Sequence, residues 1–233
     1  MTKQVKSRER VAEHGEVFTA EREVNAMLDL VKQETERVDS RFLEPACGDG
    51  NFMVEILRRK LVAAKKRATP PKKKSPDPFE YERQSVIAVA SIYGVDLLQD
   101  NVLAARKRLY DIWETEYEAV CENETEEACR NAVRFILSRN IVCGNALTLM
   151  CVDDRQQDTN EPVVFSEWTL PFNDTRIQRK DYTFAELLNA SALEESIRET
   201  GQMNLFADEK GEVEPTFLRQ YIFDYRKVQD YGN

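Results

Sequence analysis

The chain has 233 residues, 42% hydrophobic and 32% charged, enough to bury a full α/β core. Its 33 Lys and Arg stand against 42 Asp and Glu, a net charge of −9, and the whole acidic excess lies in residues 121–233, since residues 1–120 hold 21 of each sign. A protein that gripped a polyanion by itself would be expected to show a basic footprint; none is evident in this balance, so contact with nucleic acid is expected to need a partner.

Five cysteines, an odd number and widely spread, do not form a disulfide framework. Cys121, Cys129, Cys143 and Cys151 lack paired C-x-x-C spacing, so no metal site is expected. No apolar run is long enough to span a membrane, and the charged N-terminus has no apolar signal core. The expectation is a soluble cytoplasmic protein.

Residues 1–13 are polar and charged, an arm or an irregular helix start. Within His14–Val38 a helix is expected, with Val24, Met27, Leu28 and Val31 on one face and Thr19 as its N-cap. Gly15-Glu16-Val17-Phe18-Thr19 precedes it, and Glu21 and Glu23 suit the positive end of its dipole. Arg41 to Lys60, RFLEPACGDGNFMVEILRRK, reads as strand, glycine turn and helix. Phe42 and Leu43 are strand formers, and Pro45, Gly48 and Gly50 mark a tight loop. Phe52, Met53, Ile56, Leu57 and Leu61 then keep helical spacing. Such a loop brings backbone N–H groups and a helix N-terminus to one point and lets a ligand approach the main chain. Glu44, at the end of the strand, suits a ligand with an amine or hydroxyls. The glycine spacing is not that of a dinucleotide site, and no Gly-Lys-Ser/Thr follows as in a P-loop.

Residues 65–84, rich in Lys and Pro, are expected to form an exposed basic loop. Its Lys65-Lys66-Arg67 and Lys72-Lys73-Lys74 clusters either touch phosphates or are simply solvated. Val86–Val95 reads as a strand buried on both faces, ending at Asp96. A helix from Leu98 or Gln99 follows, with Val102, Leu103, Arg106, Leu109, Tyr110 and Trp113 on one face. Glu114–Glu127 is acidic surface, Ala128–Leu137 a helix, and Asn140–Leu147 a strand and turn. Val163–Phe165 is expected as a fourth strand. A short helix is expected over Asp181–Ala192, extending through Glu194–Thr200. Met203, Leu205 and Phe206 form an apolar knot, and Phe217–Tyr225 is aromatic-rich.

The run Leu43-Glu44-Pro45-Ala46-Cys47-Gly48-Asp49-Gly50-Asn51-Phe52 resembles motif I of the S-adenosylmethionine-dependent DNA adenine-N6 methyltransferases, the TaqI-like enzymes and type I modification subunits. Gly15–Thr19 resembles motif X of the same family, with Val17 at its first aromatic position and Ala20 where the family has Pro. Gly94-Val95-Asp96-Leu97 resembles motif II, and Gly144-Asn145-Ala146-Leu147 motif III, with Asn145 in place of an acid. The resemblance implies a doubly wound, Rossmann-like α/β sheet over residues 1–175 and an irregular C-terminal extension over 176–233. It implies that S-adenosyl-L-methionine is held by Phe18, Thr19, Glu44, Pro45, Ala46, Cys47, Gly48, Gly50, Phe52, Asp96, Leu97, Asn145 and Ala146. Asp96 would accept hydrogen bonds from the ribose hydroxyls. Its plainer role is to cap the following helix, just as Phe18 and Thr19 could be a core aromatic and a cap.

The resemblance weakens at motif IV, [DNS]-P-P-[YF]. Thr169-Leu170-Pro171-Phe172 keeps the second Pro and the aromatic but not the leading amide. In the family that amide carbonyl accepts a hydrogen bond from the adenine amine, and the aromatic stacks on the flipped base. The catalytic role is therefore not assigned to Thr169, and the catalytic residues stay unknown. The expectation is a cofactor-binding subunit in a restriction-modification or phage-defence system. It would reach DNA through a complex with a second methyltransferase or specificity subunit. A non-catalytic scaffold of the same fold, or methylation of RNA or protein, stand as alternatives.

Overall fold

The computed structural model describes residues 19–189 and 217–231. Three parallel strands form one sheet in the order β1 (Phe42–Glu44), β2 (Ile92–Asp96), β3 (Ile141–Cys143). A hairpin of β4 (Met150–Val152) and β5 (Asp158–Pro162) follows. An antiparallel sheet then joins β6 (Val164–Thr169), β7 (Arg176–Thr183) and β8 (Arg219–Asp224). The architecture is mixed α/β with several sheets. The expected fourth strand exists as β6, but it pairs antiparallel with β7 and does not extend the parallel sheet. The described part of the C-terminal extension is likewise strand rather than irregular: β7, β8 and a 3-10 helix over Tyr225–Asp230.

The first helix, α1 (Glu21–Asp29), is capped at Ala20, one residue after the expected Thr19. Ala20 has no side-chain acceptor, and its own N–H donates to Glu23 Oε2 at 3.4 Å, half of a capping box. Only Val24 and Leu28 of the expected face are buried, while Met27 and Val31 are exposed, because the chain turns at Leu30 into a short second helix, α2 (Lys32–Thr35). The glycine loop feeds α3 (Asn51–Arg67), whose Met53, Leu57, Leu61 and Ala64 are buried.

The stretch between α3 and β2 differs most from expectation. The exposed loop is confined to residues 68–77, and α4 (Pro78–Ala90) follows, with Tyr81 to Ala90 buried throughout. Val86–Ala90 are thus the last turns of a helix, and the strand begins only at Ile92. A helix buried on all sides shows no periodicity, so its apolar run reads like a buried strand. The start signals were nevertheless present: Asp77 is the N-cap and accepts the Glu80 N–H at 2.9 Å, with Pro78 in the first turn. The next helix, α5 (Gln99–Cys121), runs through most of the acidic stretch and buries Tyr117 and Cys121 there, with Glu118 facing outward. The last long helix, α6 (Glu127–Asn140), leads into β3. Residues 184–189 are helical, after β7 has taken Asp181–Thr183; Glu194–Thr200, Met203, Leu205 and Phe206 lie outside the described residues.

One core joins these parts. Met53, Leu57, Val86, Ile92, Leu109, Trp113 and Ile136 share it with Trp168, Ile177, Phe223, Tyr225 and Val228. Polar pins hold it. Lys60 is fully buried, and its Nζ donates to the carbonyls of Arg37, Val38 and Ser40 at 3.0, 3.1 and 2.5 Å. Glu82, also buried, accepts the hydroxyls of Tyr117 and Tyr225 and the Arg226 Nε at 2.7 Å, which fastens the segment after β8 onto α4 and α5. A charge taken out of water must be compensated in this way.

Candidate functional site

The carboxyl ends of β1, β2 and β3 bring three loops together. The Cys47 N–H donates to the Val95 carbonyl at 2.9 Å, and the Gly144 N–H to the Asp96 carbonyl at 3.0 Å. Gly94 makes the first approach possible: a Cβ there would stand 2.9 Å from Met53 Sδ and 3.1 Å from Cys47 Cβ. Gly48 and Gly50 have φ of +52° and +93°, a region that side chains enter only with strain. A Cβ on Gly48 would meet nothing within 4 Å, so the main chain at that turn faces open space.

Asp96 is the hub. Its Oδ2 accepts the Gly48 N–H at 2.8 Å, and its Oδ1 accepts the Leu98 N–H at 2.9 Å and Asn101 Nδ2 at 3.1 Å. One carboxylate thus ties the glycine loop to the start of α5. Three of its roughly four acceptor positions are in use, which leaves one for a ligand hydroxyl. The N-cap of α5 is Leu98 rather than Asp96, and Asp96 holds the entry of that helix through the Leu98 N–H. Glu44 is half-buried at the end of β1, and burial raises its carboxyl above the usual range, partly offset by the Ala46 amide. Cys47 is buried; burial, and then the charges of Asp96, Glu44 and Asp49, push its thiol well up. Asp49 is compensated by Arg108, which lies 2.9 Å from its Oδ1 and donates to its carbonyl at 2.8 Å.

Glu44, Pro45, Ala46, Cys47, Gly48, Gly50, Asp96 and Leu97 therefore gather on this side, with Leu97 39% exposed beside Asp96. Phe52, half-buried in the first turn of α3, packs against the main core. Thr19 lies ahead of α1, and Phe18 lies outside the described residues. Asn145 follows β3, but its side chain serves its own turn: Oδ1 accepts the Leu147 N–H at 3.0 Å, and Nδ2 donates to Asp158 Oδ1 at 3.0 Å. The next residue, Ala146, packs into the second apolar cluster around Tyr93 and Phe165. Sequence reasoning missed Asn101 and Arg108, and it named Gly94 within the motif II resemblance without its close packing on Cys47 and Met53. The only signal for Asn101 was a polar residue on the buried face of α5.

Thr169-Leu170-Pro171-Phe172 lies at the other end of the sheet. Val163, just before β6, presses on Gly144 at the carboxyl ends of the strands. From there β6 runs against the direction of the parallel strands. Arg41, just before β1, meets Glu167 at 2.6 Å, and Trp168 Nε1 donates to Asn140, just before β3, at 3.3 Å. The Phe172 carbonyl accepts from Arg83 Nη2 at 2.8 Å, and the Arg176 guanidinium covers the Phe172 ring at 3.8 Å. A cavity of about 700 Å³ opens on this side, bordered by Ser40, Arg41, Ser91 and Thr169. The motif IV remnant is thus separated from the glycine loop by the length of the sheet.

The profile of the family described as MmeI, DNA-methyltransferase domain, matches residues 18–169. The chain belongs to this family. It is a DNA-methyltransferase domain of the kind found in restriction-modification. No curated protein and no solved structure matched the chain. The match to the MmeI-type domain spans α1 to β6, so it includes the whole parallel sheet and its three converging loops. No helix among the described residues is long and apolar enough to cross a membrane.

Proposed function

We propose that this domain holds S-adenosyl-L-methionine at the carboxyl ends of β1–β3. We further propose that it forms the cofactor-binding part of a DNA adenine-N6 methyltransferase whose catalytic loop is supplied by a partner. The side chains fit the cofactor. Two carboxylates, Glu44 and Asp96, flank the glycine loop and suit a ligand bearing a sulfonium and an ammonium, while Asp49 is already paired with Arg108. The open space over Gly48 admits a group to the main chain, and Asp96 keeps an acceptor position for a ribose hydroxyl. When bound, the cofactor supplies an activated methyl group. This chain's own part is to bind and orient it. The adenine assignment rests on the resemblance of Leu43–Phe52 to the adenine-N6 enzymes.

The observation that carries the split reading is the position of Thr169–Phe172, at the opposite end of the sheet, with the Phe172 ring covered by Arg176. A loop there cannot meet a base presented to a methyl donor beside Gly48. The missing partner would be a second methyltransferase or specificity subunit bringing an Asn-Pro-Pro-aromatic loop. The test is tritiated methyl transfer to unmethylated genomic DNA, with and without a co-expressed neighbouring protein. Expected is no transfer by the chain alone and transfer with the partner, lost on Asp96→Ala. Robust methylation by the purified chain would overturn the split reading. Cofactor binding without transfer in any pairing would favour the scaffold alternative.

A further inference from the structure

Residues 56–76 contain nine basic side chains and no acidic one, in a chain whose net charge is −9. Lys65, Lys66 and Arg67 end α3, and Lys72, Lys73 and Lys74 follow in the loop to α4; all six are exposed. Among the described residues none of the six side chains is paired with an acid. The loop is closed on itself, because the Asp77 N–H donates to the Ala68 carbonyl at 2.8 Å, which keeps the two clusters together. Within it the Lys73 N–H donates to the Pro70 carbonyl at 3.0 Å, a tight turn with Pro71 and Lys72 at its centre. Lys72 takes φ +71°, the position in such a turn that favours glycine. The lysine thus stands where glycine would be unstrained, as do Glu122, Leu149 and Gln156 elsewhere among the described residues. Arg67 also borders the large cavity, together with the buried Arg83, whose Nε has no hydrogen-bond partner.

These cations lie at the far end of α3 from the glycine loop. Its 17 residues put about 25 Å between them. We propose that this face binds the phosphate backbone of duplex DNA, away from the site that would hold the cofactor. The inference rests on the chain's place among DNA-methyltransferase domains and is independent of which base is methylated. The acidic excess everywhere else repels a polyanion, so the patch orients the duplex as well as holding it. Six exposed cations without an ion pair among the described residues, beside Pro70, Pro71, Pro76 and Pro78, suit closely spaced phosphates better than a scattered acidic protein surface, although Lys65 and Lys66 border a hollow that also holds Asp111 and Glu116.

The test is fluorescence anisotropy with a labelled 30-base-pair duplex of arbitrary sequence, titrated at NaCl concentrations of about 50 to 200 mM. Neutralising six phosphates gives a slope of log K against log salt of about −5, at roughly −0.9 per phosphate. Replacing Lys72, Lys73 and Lys74 together by Ala should weaken binding and flatten the slope by about 3. Lys72→Gly alone should weaken binding while raising the melting temperature, which a merely structural loop would not couple. Unchanged affinity and slope in the triple variant would overturn the proposal. So would undetectable duplex binding at the lowest salt when polyglutamate, a probe for an acidic protein partner, does bind. Calorimetry with S-adenosyl-L-methionine reads the cofactor assignment separately, and these loop substitutions should leave it unchanged.

Discussion

Asp96→Ala should damage the fold and the cofactor site together, in proportions the structure sets. The substitution removes the acceptor for three donors: Gly48 N–H, Leu98 N–H and Asn101 Nδ2. Asn101 is 1% exposed, so water cannot replace its lost partner without rearrangement. At about 1 kcal/mol per bond the loss is about 3 kcal/mol. For a domain of this size that lowers the melting temperature by roughly 6–12 °C. Asp96→Asn separates the contributions. An amide oxygen in the place of Oδ1 still serves Leu98 and Asn101, whereas an NH2 in the place of Oδ2 opposes the Gly48 N–H. The Asn variant should therefore retain more than half of the lost stability but lose the tie to the glycine loop. Chemical denaturation gives the stability, and calorimetry with S-adenosyl-L-methionine, at a temperature where both variants are folded, gives the binding. Expected is at least roughly tenfold weaker cofactor binding in both, about 1.4 kcal/mol. An Asp96→Ala variant within about 0.5 kcal/mol of wild type, the scatter of an ordinary surface substitution, would refute the hub argument.

The glycines should divide by environment. Gly94→Ala should cost roughly 2 kcal/mol in denaturation, because its Cβ enters 2.9 Å from Met53 Sδ. Gly48→Ala, into open space, should cost only about 1 kcal/mol of strain yet weaken cofactor binding; equal stability losses would contradict this. Burial lowers the Lys60 ammonium to about 7, so between that pH and its unfolded value near 10.4 the unfolded chain binds more protons and stability rises with pH, by up to about 1.4 kcal/mol per unit. Relative to Lys60→Met, the wild type should therefore gain stability from about pH 7 to about pH 10 in denaturant titrations, and a flat difference would count against it. Tyr225→Phe removes one hydroxyl from the buried Glu82 and should cost about 1–2 kcal/mol, lowering the unfolding midpoint; an unchanged midpoint would show that the clasp contributes nothing.

What the sequence alone determined was local. The Leu43–Phe52 run dictates strand, glycine turn and helix, because Gly48 and Gly50 occupy backbone regions that other residues avoid. The end of β2 at Asp96, and the helices α5 and α6, follow from local pattern to within one or two turns of their observed bounds.

What it could not determine was which loops meet. That Asp96 ties Gly48 to Asn101, that Lys60 pins three carbonyls, and that Glu82 clasps Tyr225 all join residues distant in sequence, and only packing sets those distances. The identity of α4 was hidden because a helix buried on every side carries no periodic signal, even with Asp77 and Pro78 announcing its start. The place of Thr169–Phe172 was decided by the direction of β6. A strand that pairs with β7 runs against β1–β3 and carries its C-terminal end away from the glycine loop, a reversal that no local pattern in Val164–Thr169 encodes.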